Sequence, residues 1–227
     1  MFVTGLCGET KRMSITLWGR LNSANVQKAV WVLEELELSY EHVPVGGAWG
    51  GNDTPEYLAM NPNGLVPTLR DGDVTVWESH AVVRYLSAEY GSGLLYPMEA
   101  RDRAVVDQWT DWTATTFQPA WIALFWSKVR TPVAQQHAAA IGRALIATNR
   151  CLAIMDQRLS AAPYLGGAEF SFADIVAGVA MYRWSTMAID RPVLPAVAAW
   201  HERLDTRRAF RKAVNVPYDE LVGRLSF

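Results

Sequence analysis

The sequence predicts two units in one chain: an α/β unit with mixed strand directions over residues 14–91 and an all-α, helical unit over residues 97–227. Three observations predict this. Short strand-type segments end at Trp77, a glycine-centred hairpin signal joins the last two of them, and after Tyr90-Gly91-Ser92-Gly93 strand signals nearly vanish while Ala, Leu and Trp dominate helical patterns. With 227 residues, 50% of them hydrophobic and 19% charged, the chain can bury a sizeable core.

Each element follows from its residues. Residues 1–13 lack the apolar core and cleavage site of a secretory signal and read as a flexible N-terminal extension, with Met13 a second possible start. Ile15–Trp18 alternates like a strand, and the loop after it ends in small polar residues suited to cap a helix. Over residues 25–38, Val26, Ala29, Val30, Leu33 and Leu36 recur at helical spacing, with Gln27, Lys28 and three glutamates between them. Residues 39–45 read as extended. The glycine-rich loop 46–53 lacks both the strand-to-helix GxGxxG context and a Walker lysine, so its glycines are turn-formers. A short helix is expected at Pro55–Met60, and strands at residues 66–69 and Val74–Trp77 flank the hairpin signal Asp71-Gly72-Asp73. A helix over residues 79–89 closes the first unit.

Helical segments then fall near residues 99–128, 133–161, 171–188, 193–204 and 206–214, punctuated by Pro132, Gly166-Gly167 and Arg191-Pro192. Ser171-Phe172-Ala173-Asp174 forms a capping box, which makes Asp174 a structural residue.

Composition excludes several function classes. A net charge of −2 and a pI near 6.1 give no pull toward nucleic acid or an anionic membrane surface. Cys7 and Cys151 offer neither a disulfide framework nor a CxxC site, which fits a reducing compartment. No apolar run approaches a membrane span, and a cytoplasmic protein is expected. His42, His80, His137 and His201 show no metal-ligand grouping, so no metal is expected and they read as surface or satisfied polar residues.

The most informative stretch is residues 61–69, Asn-Pro-Asn-Gly-Leu-Val-Pro-Thr-Leu, followed by Trp77-Glu78-Ser79-His80. Pro67 has no ladder donor, so it ends, edges or bends its strand. A cis bond before it would turn the Val66 N–H and C=O outward, where an extended peptide can pair with them. The plainer reading is a strand-ending proline beside a turn, with Glu78 and Ser79 as helix-capping residues.

The element order resembles a thioredoxin-like sheet. Together with the Ser23-to-Lys28 loop and helix start, the 61–67 segment, Glu78-Ser79 and the Ser171-to-Asp174 cap, the chain after Met13 resembles the cytosolic glutathione transferases. That resemblance implies a homodimeric, detoxifying enzyme with glutathione as co-substrate, the first unit binding glutathione and the second forming the pocket for a small apolar electrophile. Lowering a thiol pKa by about two units takes roughly 2.7 kcal/mol of thiolate stabilisation, which a hydroxyl or amide donor at a helix N-terminus can contribute to. By resemblance to theta- and zeta-like members the donor is Ser23, and by resemblance to bacterial disulfide reductases it is Asn25; helix capping is the structural alternative for either. No cysteine occupies this loop and no tyrosine follows the first strand, so the omega-, beta-, alpha-, mu- and pi-like arrangements do not fit.

The resemblance gives Glu78 and Ser79 the γ-glutamyl end of glutathione and gives Val66, with Pro67 at the bend, its cysteinyl backbone. Many members place a basic residue just before the Val-Pro, where this chain has Leu65; Asn63, Arg20 and the Trp49 loop remain open as partners of the glycine carboxylate. In the helical unit Phe117, Trp121 and Phe125 lie at i, i+4 and i+8, with Trp109 and Trp112 before them. This is either a core stripe or a pocket wall, and Trp112, Thr116 and Trp121 are the candidate wall residues. Glutathione-dependent reduction of peroxides or disulfides, and non-catalytic binding, stand as alternative functions.

Overall fold

The computed structural model describes residues 15–225; the extension expected over residues 1–13, with Cys7, lies outside them. β1 (Ile15–Trp18) runs through the middle of a four-stranded sheet of order β2-β1-β3-β4. It is parallel to β2 (Tyr40–Val43), reached through the crossover helix α1 (Ala24–Glu35), and antiparallel to β3 (Thr68–Asp71). β3 and β4 (Val74–Trp77) form the expected hairpin, in which Gly72 takes a φ of 59° that favours glycine. The short helix α2 (Pro55–Met60) precedes β3, and α3 (Ser79–Tyr90) follows β4.

Two differences from the sequence expectation bear on the site. The ladder of β3 starts at Thr68, not at residue 66, because Pro67 has no N–H to donate; the Val66–Pro67 bond is cis and Val66 stands outside the sheet. α1 is also shorter than residues 25–38, ending where Glu37 turns into the left-handed region with a φ of 51°.

The segment expected as one helix over residues 99–128 is α4 (Ala100–Trp112), a π-helical stretch Thr113–Phe117, α5 (Gln118–Phe125) and a second π stretch Trp126–Arg130. Pro119 cannot supply the N–H that the Thr115 carbonyl would take in an α-helix, and the wider turn before it absorbs that loss. After a 3-10 turn at Val133–Gln135 comes α6 (Ala138–Ala161), which packs against α5. Contrary to the sequence reading, α6 is long and apolar enough to cross a membrane by length and composition alone.

Residues 171–188 are not one helix but α7 (Phe172–Gly178) and α8 (Met181–Thr186), followed by α9 (Pro195–Asp205) and α10 (Arg208–Val214). The capping box forms, and Asp174 also reaches beyond it. Its carboxylate accepts from the Ser171 N–H at 3.0 Å, the Leu165 N–H at 2.9 Å and the Trp200 indole at 2.9 Å, pinning the turn before α7 to α9.

One core runs through both units. α1 packs against α3, α7 and α10, and Gly178 lets α7 approach so closely that a Cβ there would sit 2.9 Å from the Trp31 ring. On the far side Arg207 pairs with Glu35 at 2.7 Å and Lys212 with Glu34 at 2.6 Å. These pairs hold the C-terminal end of α1 to α10.

Candidate glutathione and acceptor site

The site is built around the first turn of α1. Ser23 is the N-cap residue with extended φ and ψ of −82° and 123°, yet its side chain makes no capping hydrogen bond. The hydroxyl expected as a possible cap is therefore left, half-buried, at the wall of a cavity of about 310 Å³. Asn25 and Val66 line the same cavity from the first unit, and Trp121, Phe125 and Arg183 line it from the second. Ser23, Asn25 and Val66, separate in sequence, are thus brought together.

Behind the cavity lies a buried polar cluster that the sequence did not foretell. The Lys28 ammonium, fully buried, donates to Asn25 Oδ1 at 3.0 Å, to Ser79 Oγ at 3.3 Å and to Gln118 Oε1 across the two units, and its Nζ lies 2.8 Å from His80 Nε2. Asn25 Oδ1 also accepts from Ser79 Oγ at 3.4 Å and Gln118 Nε2 at 3.3 Å. With its carbonyl held by three partners, the Asn25 amide is oriented, and Nδ2 is the donor it can offer to a ligand.

Burial shapes the charges here. Desolvation pushes the Lys28 pKa down to about 7 against an opposing pull from Glu78. Burial, with Lys28 and Arg84 nearby, pushes His80 down to about 2, so the imidazole is neutral and its Nε2 can accept from Lys28. The sequence reading allows His80 to be a surface or a satisfied polar residue and gives Lys28 no part in the site. The apolar run from Ala29 to Leu33 was the available signal: a helix apolar around its whole circumference is covered on all sides, and Lys28 goes under with it.

Glu78 and Ser79 sit side by side at the start of α3. Ser79 is buried, while Glu78 is exposed and adopts a φ of 69°, a conformation that costs a non-glycine residue about 1 kcal/mol or more. Of the two side chains named for the glycine carboxylate, Arg20 lines the cavity and donates to Asn22 Oδ1 at 2.6 Å. Asn63 does not reach it: its side chain turns back to Asn61 Oδ1 at 3.2 Å.

Of the three residues expected at an acceptor wall, one lines this cavity. Trp121 lines the cavity, whereas Trp112 stacks on Phe117 at 5.9 Å between centroids and Thr116 points to solvent. The π stretch at Thr113–Phe117 explains the change, since one extra residue per turn rotates the downstream face by about 100° and breaks the i, i+4 extrapolation. Phe125, Ile122, Arg130 and Arg183 line the cavity beside Trp121. Among the described residues no group of three or more His, Cys, Asp or Glu side chains could hold a metal ion.

Comparison with known proteins agrees with this architecture. Residues 13–88 match the glutathione S-transferase N-terminal domain family and residues 136–203 the C-terminal domain family. The chain is 39% identical over 205 residues to glutathione S-transferase GstB of Escherichia coli (strain K12), covering 89% of this chain and 99% of that protein. It is 32% identical over 197 residues to the disulfide-bond oxidoreductase YfcG of the same organism, covering 84% and 90%. A crystal structure of a theta class glutathione S-transferase from Xanthomonas axonopodis pv. citri, with glutathione bound, superposes with a TM-score of 0.87 at 48% identity, over 90% of this chain and 99% of that one. The chain belongs to the glutathione S-transferase family.

Proposed function

We propose that this chain binds glutathione at the first turn of α1 and joins it, through its sulfur, to an electrophile with an apolar body. The observation that carries the reading is the convergence of the uncapped Ser23 hydroxyl, the oriented Asn25 amide and the out-of-sheet Val66 on one cavity. Ser23 Oγ–H and Asn25 Nδ2–H are the donors for the sulfur, and the N-terminus of α1 adds positive potential there. As they favour the thiolate over the thiol, the proton passes to solvent, a C–S bond forms and the leaving group departs with its electron pair.

Val66, next to Pro67, pairs with the cysteinyl backbone. Glu78 takes the γ-glutamyl ammonium, and Ser79 at the start of α3 takes the adjoining carboxylate, with Lys28 placed 3.3 Å behind the Ser79 hydroxyl. Arg20 is the better placed partner for the glycine carboxylate, because it lines the cavity and Asn63 does not. Residues 14–91 then act as the glutathione-binding unit and residues 97–227 as the unit that completes the acceptor pocket, in a cytoplasmic homodimer serving detoxification. The relative named a disulfide-bond oxidoreductase, and the orientation of Asn25 toward the cavity, support glutathione-dependent disulfide reduction as a second reading.

Steady-state kinetics separate these roles. Ser23→Ala and Asn25→Ala should each lower kcat for conjugation by about tenfold or more while leaving glutathione affinity nearly unchanged. Unchanged kcat in both variants would remove the two residues from the chemistry. A disulfide substrate turned over faster than aryl halides would favour the second reading.

A further inference from the structure

The polar cluster buried behind the cavity has a lopsided arithmetic of donors and acceptors. A lysine ammonium carries three N–H bonds and no lone pair, yet the fully buried Lys28 Nζ faces four acceptors: Asn25 Oδ1 at 3.0 Å, Ser79 Oγ at 3.3 Å, His80 Nε2 at 2.8 Å and Gln118 Oε1. Ser79 Oγ is the farthest of the four, so its hydroxyl is the one that a ligand carboxylate draws away at least cost. Asn25 shows the opposite imbalance. Its Oδ1 accepts from Lys28, from Gln118 Nε2 at 3.3 Å and from Ser79 Oγ at 3.4 Å, while among the described residues no acceptor meets its Nδ2.

Of the three donors to Asn25, only Lys28 decides which way the amide points. A carboxamide or a hydroxyl both donates and accepts, so Gln118 and Ser79 can pair with either end of Asn25. An ammonium only donates, so Asn25 must turn its carbonyl toward Lys28 and carry its NH2 group on the other side. Glu78 favours the charged form of Lys28 against desolvation, and a carboxylate arriving at Ser79 adds a second anion with the same effect. Gln118 brings in the helical unit. It opens α5 directly after the π stretch Thr113–Phe117, accepts from Lys28 through Oε1 and donates to Asn25 through Nε2. Lys28, Asn25 and Gln118 thus form a closed ring of hydrogen bonds across the two units.

We propose that Lys28 is a positioning residue for the thiol step: braced by Gln118, it fixes the Asn25 amide so that Nδ2–H, not Oδ1, faces the glutathione sulfur. The inference rests on the glutathione-transfer reading above and adds to it the residues that aim one of its two donors. Without Lys28 the amide is free to flip. A flipped carbonyl sets an acceptor against the thiolate and favours the thiol.

The test is a double-mutant cycle read on bound glutathione, with thiolate absorbance followed across pH. Lys28→Met keeps an unbranched side chain of similar length and removes its donors. Alone, it should raise the apparent pKa of the bound thiol by about one unit, or about tenfold less thiolate below that pKa. The kcat for conjugation should fall in the same proportion, with KM for glutathione changing by less than about threefold. Added to Asn25→Ala, Lys28→Met should move the thiol pKa no further, because the group it aims is gone. Added to Ser23→Ala, it should keep its full effect. Gln118→Met, at a half-buried position between the units, should show the same pattern at smaller size and carries the test where Lys28→Met does not fold.

Equal pKa shifts with and without the Asn25 side chain would overturn the inference and leave the parent reading standing, since Lys28 would then act through its charge or through the fold. An unchanged thiol pKa in both Lys28→Met and Gln118→Met would do the same. Glutathione that fails to bind the wild type in calorimetry, or binds with its thiol titrating as in free solution, would remove the parent reading and this inference together.

Discussion

Lys28 Nζ lies 2.8 Å from His80 Nε2, with neither side chain exposed enough to be solvated in the usual way, and this pair ties α1 to α3 beneath the site. Burial sets the protonation of both. Lys28 falls from its ordinary 10.5 to about 7 in the folded chain. Between those values the unfolded chain holds the extra proton, so stability from this group rises with pH from about 7 toward 10.5 and is lost as pH falls back through that window. Urea midpoints of the wild type minus those of Lys28→Met should therefore increase between neutral and alkaline pH. A difference that stays flat would mean Lys28 is not desolvated.

Glu78 adopts its left-handed φ of 69° where glycine would be at ease. Glu78→Gly should raise stability by about 1 kcal/mol, while removing the carboxylate should weaken glutathione binding by about tenfold or more. Denaturant titration and calorimetry on the same preparation read both. Loss of stability would show that Glu78 is a structural cap.

Asp174 is buried completely among four donor contacts, yet burial still raises its pKa to about 6. Asp174→Ala strands the Leu165 N–H and the Trp200 indole and should cost at least about 3 kcal/mol in urea unfolding. The folded fraction should keep its KM for glutathione within about twofold, because the carboxylate is remote from the cavity lining.

The cavity boundary is tested by introducing the same large side chain at two positions. Ile122, in α5, lines the cavity, and Thr116, in the π stretch before it, is exposed. Ile122→Trp should fill the space and lower kcat/KM by about tenfold or more, whereas Thr116→Trp should change it by less than about twofold. The reverse order would restore the wall predicted from the sequence spacing.

These contrasts also show which parts of the molecule the residues reveal on their own. Ile15–Trp18, the Gly72 hairpin and the Ser171–Asp174 cap depend on local chemistry and stand where the sequence places them. The Val66–Pro67 bond and the pairing of Glu78 with Ser79 are legible for the same reason. Lys28, Arg130 and Arg183 are not, because their burial is decided by elements far away in sequence, and a lysine or arginine reads as solvated until its neighbours are known. Trp112 and Thr116 do not line the cavity with Trp121 for a different reason, since helical spacing cannot be carried across a π turn.

The central claim is that the donors at the first turn of α1 hold glutathione as its thiolate. The most direct measurement is the ultraviolet absorbance of bound thiolate, followed across pH with the protein in excess of glutathione. An apparent thiol pKa about two units below the free value of ~8.5, moving back up in Ser23→Ala or Asn25→Ala, is the predicted result. Saturated binding with the thiol titrating as it does in free solution would contradict the account.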